Sequence, residues 1–182
     1  AGEMGLGNPT PTAALACVLA GIAPDEAVGR GAGLDAAGLE RKRLAVARSL
    51  EVNEPCARDV VGSIAAVGGC DIAAMCGFYL GAASCGVPVV LDGVISCVAA
   101  LCAQRLCPQA AGYMLASHVS QEPAARVLLD QLGLRAPIAA GMHLGEGTGA
   151  MAVLPLLDAA VEVYRGCITF EQSGMDAYKV LE

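Results

Sequence analysis

"VPVVLDG" (residues 87–93) is the most strand-like text in the chain, a short β-branched run that closes on Asp-Gly. Its surroundings decide the fold. A helix is expected over roughly 94–107, a second strand in "GYMLAS" (112–117), a helix in "EPAARVLLDQLG" (122–133) and a third strand region in "PIAAGMHLG" (137–145). After "EGTG" another helix runs through "AMAVLPLLDAAVEVY", where Pro155 is expected to bend or crowd it. Strand and helix in strict alternation is the order of a parallel sheet with covering helices.

Upstream of residue 87 the text is helical. "PTPTAALACVLAG" (9–21) has Pro11 in a first turn and Gly21 as a stop. "DAAGLERKRLAVARSLEVN" (35–53) is the clearest amphipathic helix, with Leu39, Leu44, Val46 and Leu50 on its apolar side and Lys42 read as solvated. Residues 57–69 and 70–86 supply two more helices, each ending at glycine. The expected architecture is one α/β domain over 1–182, with a Rossmann-like parallel sheet and a helix-rich N-terminal third.

Composition narrows the function. Hydrophobic residues make up 55% and charged ones 16%, so much of the chain must be buried and disorder is excluded. Aromatics are 3%, so the core is built from Ala, Leu, Val and Cys. The net charge is −7 and the strongest basic run, "LERKRLAVAR" (39–48), is a helix face, which argues against nucleic acid as a partner. Nine cysteines without a C-x-x-C pair, most in apolar helical text, point to reduced thiols in a cytoplasmic protein and away from a metal site. The longest apolar run, "GVISCVAALCA" (93–103), is about half of what a bilayer span needs, so no membrane association is expected. The chain opens inside a glycine-rich motif without an initiator Met, so a longer parent is expected.

In parallel sheets, ligands sit off the carboxyl ends of the strands. "LDG" (91–93), "ASHVS" (116–120) and "LGEGTG" (144–149) all fall there. Glu146 lies between Gly145 and Gly147 with the Thr148 hydroxyl beside it, where a carboxylate can accept a proton from a ligand or merely favour a helix N-terminus. Glu3 sits in a second glycine loop, "GEMGLGNPT" (2–10), that opens a helix and can offer N–H groups to a phosphate. "VGRGAGLD" (28–35) is a third such turn. Ser117 and Ser120 suit phosphate contact or helix capping, His118 reads as a satisfied hydrogen-bonder, and His143 as structural. Asp92 can orient a ligand hydroxyl, although an Asp-Gly turn needs no further reason. Neither a nucleophile elbow nor a Walker loop is present.

Together these phrases resemble the nicotinate-nucleotide–dimethylbenzimidazole phosphoribosyltransferase family of cobalamin biosynthesis. "GEMGLGN" (2–8), "VGRGAGLD" (28–35), "VPVVLDG" (87–93), "ASHVSQEP" (116–123) and "LGEGTGA" (144–150) carry the likeness, in the family's order and spacing. The resemblance implies transfer of phosphoribose from nicotinate mononucleotide to 5,6-dimethylbenzimidazole, giving α-ribazole 5′-phosphate and nicotinate. It implies that Glu146 is the general base for the benzimidazole N–H, with Glu3 assisting. Gly5, Gly7, Gly31, Ser120 and Gly145 match positions around the phosphate and ribose, and Lys42 matches a further site residue. No metal or cofactor is implied, because the pyridinium leaving group already carries positive charge. The family works as a homodimer.

Two departures stand out. The family's "GNTT" is "GNPT" here, so Pro9 removes a backbone donor and a hydroxyl; its "GRGTG" has Ala32 in place of threonine. Both act toward weaker phosphate binding. The family enzyme is about twice this length, so the resemblance covers its C-terminal half, and the base-binding half would be separate or missing. A non-catalytic nucleotide-binding fragment or subunit, and a purely structural protein, stay open beside the enzyme.

Overall fold

Aspartate and glycine punctuate the helices, and the observed boundaries follow them. The computed structural model describes residues 1–31 and 33–176. Ala32 therefore lies outside the described residues. Helix α1 (Pro9–Ala20) starts on two prolines and stops at Gly21, which is left-handed at φ 68°. It buries Thr12 to Cys17 and Leu19, a surface in which Ala13, Ala14 and Ala16 let its neighbours approach closely. A single turn, α2 (Pro24–Ala27), leads to α3 (Ala36–Asn53), whose N-cap Asp35 accepts from Gly38 N at 2.6 Å. Asp59 caps α4 (Val60–Val67) in the same way at 2.8 Å. Helix α5 (Cys70–Ser84) buries one stripe, Ile72, Cys76 and Tyr79.

Strand β1 (Val89–Leu91), helix α6 (Val94–Leu106) and strand β2 (Met114–Ala116) form a parallel crossover unit, with Val89 opposite Met114 and Leu91 opposite Ala116. The α/β reading with a parallel sheet and covering helices holds, but the sheet is smaller than the sequence suggests. Residues 108–113 wind as a 3-10 turn, so the second strand begins only at Met114. The expected third strand reduces to one parallel bridge between His118 and Ile138. Its text explains this: Pro137 lacks an N–H, and beyond Ile138 come two alanines and Gly141 at φ 66°.

Helix α7 (Ala125–Leu132), helix α8 (Thr148–Gly166) and a last turn, α9 (Phe170–Ser173), complete the described chain. The core sits between α1, α5, α6 and α7, where Ser96 to Ala103 of α6 are buried without a break. Burying one such side chain as large as Leu101 contributes roughly 1.5–3 kcal/mol. Pro155 does not end α8, although it removes the N–H that would reach Met151. Among the described residues no helix is long and apolar enough to cross a membrane.

The face of α3 corrects the sequence reading. Its buried residues are Gly38, Lys42 and Val46, while Leu44 is exposed. Packing of α3 against α1 and α2 turns the Lys42 stem inward, and its charge finds a backbone carbonyl instead of water.

Candidate functional site

The turns after β1 and β2, the N-terminal loop and the loop before α8 surround one cleft, with an empty volume of about 690 Å³ including its open mouth. Glu3, Gly5, Gly31, Ser120 and Gly145 line it, so the structure brings five of the sequence-predicted residues together. Gly7 and Glu146 do not line it.

Two of the loops are zipped to each other. Glu146 N donates to Glu3 O at 2.9 Å, and a Cβ on Gly145 would come within 3.0 Å of the same carbonyl. A side chain on Gly2 would strike the backbone of Gly147. Residues 145–147 are all left-handed, with φ of 82°, 57° and 82°. For Glu146 this conformation costs about 1–2 kcal/mol, which glycine would avoid. Its side chain is exposed, one residue along from Gly145 on the cleft wall. The Thr148 hydroxyl is already engaged, donating to Gly145 O at 2.7 Å.

Asp92 does far more than close a turn. It is buried, and its Oδ2 accepts from Gly147 N at 3.0 Å while Oδ1 accepts from Gly149 N at 2.8 Å and Ala150 N at 3.3 Å. A carboxylate from the end of β1 thus caps α8 and fixes the loop that carries Glu146. Gly149 is required there, because any Cβ would collide with His118 and with Asp92. Beneath Asp92, Ser96 Oγ accepts from Asp92 N at 3.0 Å and donates to Ala1 O at 3.0 Å, which leaves Tyr79 as the donor across their 2.7 Å contact.

His118 is buried on the cleft wall with Nδ1 2.9 Å from Ser117 Oγ. Burial holds its pKa below the usual imidazole value, against the opposing pull of Asp92. His143, read as structural, is instead exposed on the wall, with Nδ1 3.1 Å from Gly141 O.

The 28–31 turn is clamped from both sides. Lys42 Nζ donates to Gly29 O at 2.9 Å, and Glu122 Oε1 accepts from Gly31 N at 3.2 Å. Burial lowers the Lys42 pKa, with Glu122 opposing. Lys42 does not line the cleft, but its Nζ lies 3.7 Å from where a Cβ of Gly31 would sit. Ser120 Oγ accepts from Glu122 N at 3.3 Å, so the serine also closes the turn that aims Glu122. In the N-terminal loop Gly5 and Gly7 are left-handed, and the Gly5 N–H donates to Glu3 Oε2 at 2.9 Å. Asp92, Glu122, Ser96 and Tyr79 were not singled out as site residues by the sequence. Only for Asp92 was there a signal, its place at a strand end opposite the glycine-rich turn.

A family model described as phosphoribosyltransferase matches residues 1–175. A curated protein of Desulforamulus reducens, named nicotinate-nucleotide–dimethylbenzimidazole phosphoribosyltransferase, is 45% identical over 174 residues, which are 96% of this chain and 50% of that protein. One of the same name from Salinispora tropica is 47% identical over 174 residues, 96% of this chain and 48% of the relative. The crystal structure of CobT from Thermus thermophilus superimposes with a TM-score of 0.88 at 41% identity, over 96% of this chain and 52% of that one. The chain spans about half the length of the curated relatives it matches.

Proposed function

The chain belongs to the nicotinate-nucleotide–dimethylbenzimidazole phosphoribosyltransferase family, and from that premise we propose that it is the nucleotide-binding and catalytic C-terminal half of such an enzyme. The substrates are nicotinate mononucleotide and 5,6-dimethylbenzimidazole. The phosphoribose lies in the cleft against Gly5, Gly31, Ser120 and Gly145, with Gly7 at the loop's outer bend and the Lys42 charge behind Gly31. Glu146 takes the N–H proton of the benzimidazole, and Glu3 assists. The freed ring nitrogen bonds to the ribose C1′ as the bond from C1′ to nicotinate breaks, its electron pair neutralising the pyridinium. The products are α-ribazole 5′-phosphate and nicotinate.

One observation carries this reading: a glutamate is kept in left-handed backbone between two glycines, the first of which lines the cleft. Backbone strain of that kind favours a functional reason over a structural one. Glu146 is exposed here, and its proton-transfer role calls for a covering surface. The preceding half of the enzyme supplies that cover, packing also on α8, and the completed cytoplasmic enzyme is a homodimer. Joined to that half, Glu146→Gln is expected to keep nucleotide binding and to abolish nicotinate release; near-full turnover would remove Glu146 from the mechanism.

A second reading, a nucleotide-binding module without catalysis, is favoured by Pro9 on the cleft wall and by the Gly5 N–H already engaged with Glu3. It expects nucleotide binding with no nicotinate release even when the preceding half is supplied.

A further inference from the structure

Asn8 precedes α1 at its N-cap, yet its side chain makes no cap hydrogen bond. The prolines at 9 and 11 have removed the N–H at two of the first three helical positions, so the usual use of asparagine there is curtailed. The amide turns to two carboxylates instead. Its Nδ2 donates to Glu3 Oε2 at 2.6 Å and to Asp71 Oδ2, near the start of α5, at 2.6 Å. Both amide hydrogens are spent, one on each acid. The residue is 7% exposed, and its Oδ1 is buried with no partner. Leaving an acceptor unpaired in this way is unfavourable. A side chain kept solely for packing would not need the amide at all.

Glu3 shows what the amide secures. Gly5 N and Asn8 Nδ2 both donate to its Oε2, and among the described residues Oε1 accepts no hydrogen bond. Glu3 lines the cleft, and among the described residues only its Oε2 is tied to the protein. We propose that Asn8, anchored by Asp71, is a positioning residue that holds the Glu3 carboxylate by Oε2 and presents Oε1 to the N–H of the incoming base. This rests on the reading of Glu3 as a proton-transfer partner. The other ionisable groups around Glu3 are Asp92, His118, Glu122 and His143 on the cleft wall and Glu146 in the adjoining loop.

The test is side-chain relaxation of Glu3 in the full chain carrying 13C-labelled glutamate, with the Glu3 signal identified by its loss in Glu3→Gln. Asn8→Ala removes the side-chain donor that holds Oε2, so the Glu3 side chain is expected to lose its order on the ps–ns timescale. Asp71→Asn keeps an oxygen for the amide and is expected to leave Glu3 ordered, while Asp71→Ala removes the anchor and is expected to loosen it. That pattern supports the proposal. A Glu3 side chain as ordered in Asn8→Ala as in the unmodified chain overturns it. If the alanine variant does not fold, Asn8→Ser carries the same expectation, because its hydroxyl cannot span both acids. Joined to the preceding half, Asn8→Ala is expected to lower kcat up to about 100-fold, with KM for nicotinate mononucleotide within about threefold. Absence of nicotinate release from the unmodified enzyme would defeat the functional reading, while the relaxation of Glu3 would still decide the role of Asn8.

Discussion

Helices α6 and α8 are written in nearly the same alphabet and end in opposite surroundings. "VISCVAALCAQRL" in α6 is buried from Ser96 to Ala103, enclosed by α1, α5, α7 and the 3-10 turn. "TGAMAVLPLLDAAVEVYRG" in α8 buries only Gly149 and Val153, and leaves Met151, Leu156, Val161, Val163 and Tyr164 exposed. A helix that is apolar on all sides belongs in an interior. For α6 the described residues provide that interior; for α8 they provide only a seat for its first two turns. The difference teaches that the loop carrying Glu146, residues 144–150, runs from a packed body into a helix that the described residues leave largely uncovered.

Truncation of one leucine in each helix is the harshest test of that contrast. Leu101→Ala in α6 opens a cavity with no solvent to fill it and is expected to cost about 2–5 kcal/mol in urea unfolding. Leu156→Ala in α8 is expected to change stability by less than about 0.5 kcal/mol. Equal losses would mean that α8 is already packed and that the contrast is false.

A smaller effect is expected where the two regions join. Asp92→Ala strips the acceptor from the N–H groups of Gly147, Gly149 and Ala150, at a cost of about 1–3 kcal/mol. Amide hydrogen exchange is expected to quicken through 147–150 and along α8, while α6 keeps its protection. Asp92→Asn retains an oxygen and is expected to lose less. Uniform loss of protection in α6 as well would mean that Asp92 supports the whole core rather than this junction.

The helices were legible because their signals are local. Asp35 and Asp59 precede their helices, and Gly21 and Gly133 end theirs, so capping chemistry marked those edges. The sheet was overestimated because Pro137 and Gly141 deny the third segment its ladder, a tertiary outcome that a run of apolar letters hides. Within the cleft, Ser120 and Gly145 sit in turns that the strand order places at carboxyl ends, whereas Glu3, Gly5 and Gly31 lie in glycine loops at helix starts and were tied to the site by the family likeness. Lys42 was read as solvated because its burial depends on how α3 meets the 28–31 turn, which periodicity does not encode. Asp92 reaches partners more than fifty residues away, and the Tyr79–Ser96 contact joins two helices across the core. No spacing rule carries such pairings.

The gentlest probe leaves stability untouched and reads the same contrast through thiol chemistry. Cys97 and Cys102 lie in the buried run of α6, and burial pushes both thiols up to about 12. At pH 8 only about one such thiol in ten thousand is ionised, and the thiolate is the species that alkylates. Cys167, immediately after α8, is exposed. Iodoacetamide at pH 8 is therefore expected to label Cys167 readily and to reach Cys97 and Cys102 only in denaturant, with mass spectrometry of the peptides as the readout. Adding the preceding half of the enzyme sharpens the comparison, because cover on α8 is expected to slow Cys167 and to leave the α6 thiols as they were. Rapid labelling of Cys97 in the native chain would break it, since a reagent that enters α6 without unfolding it requires a core looser than the one that positions Asp92 and the cleft above.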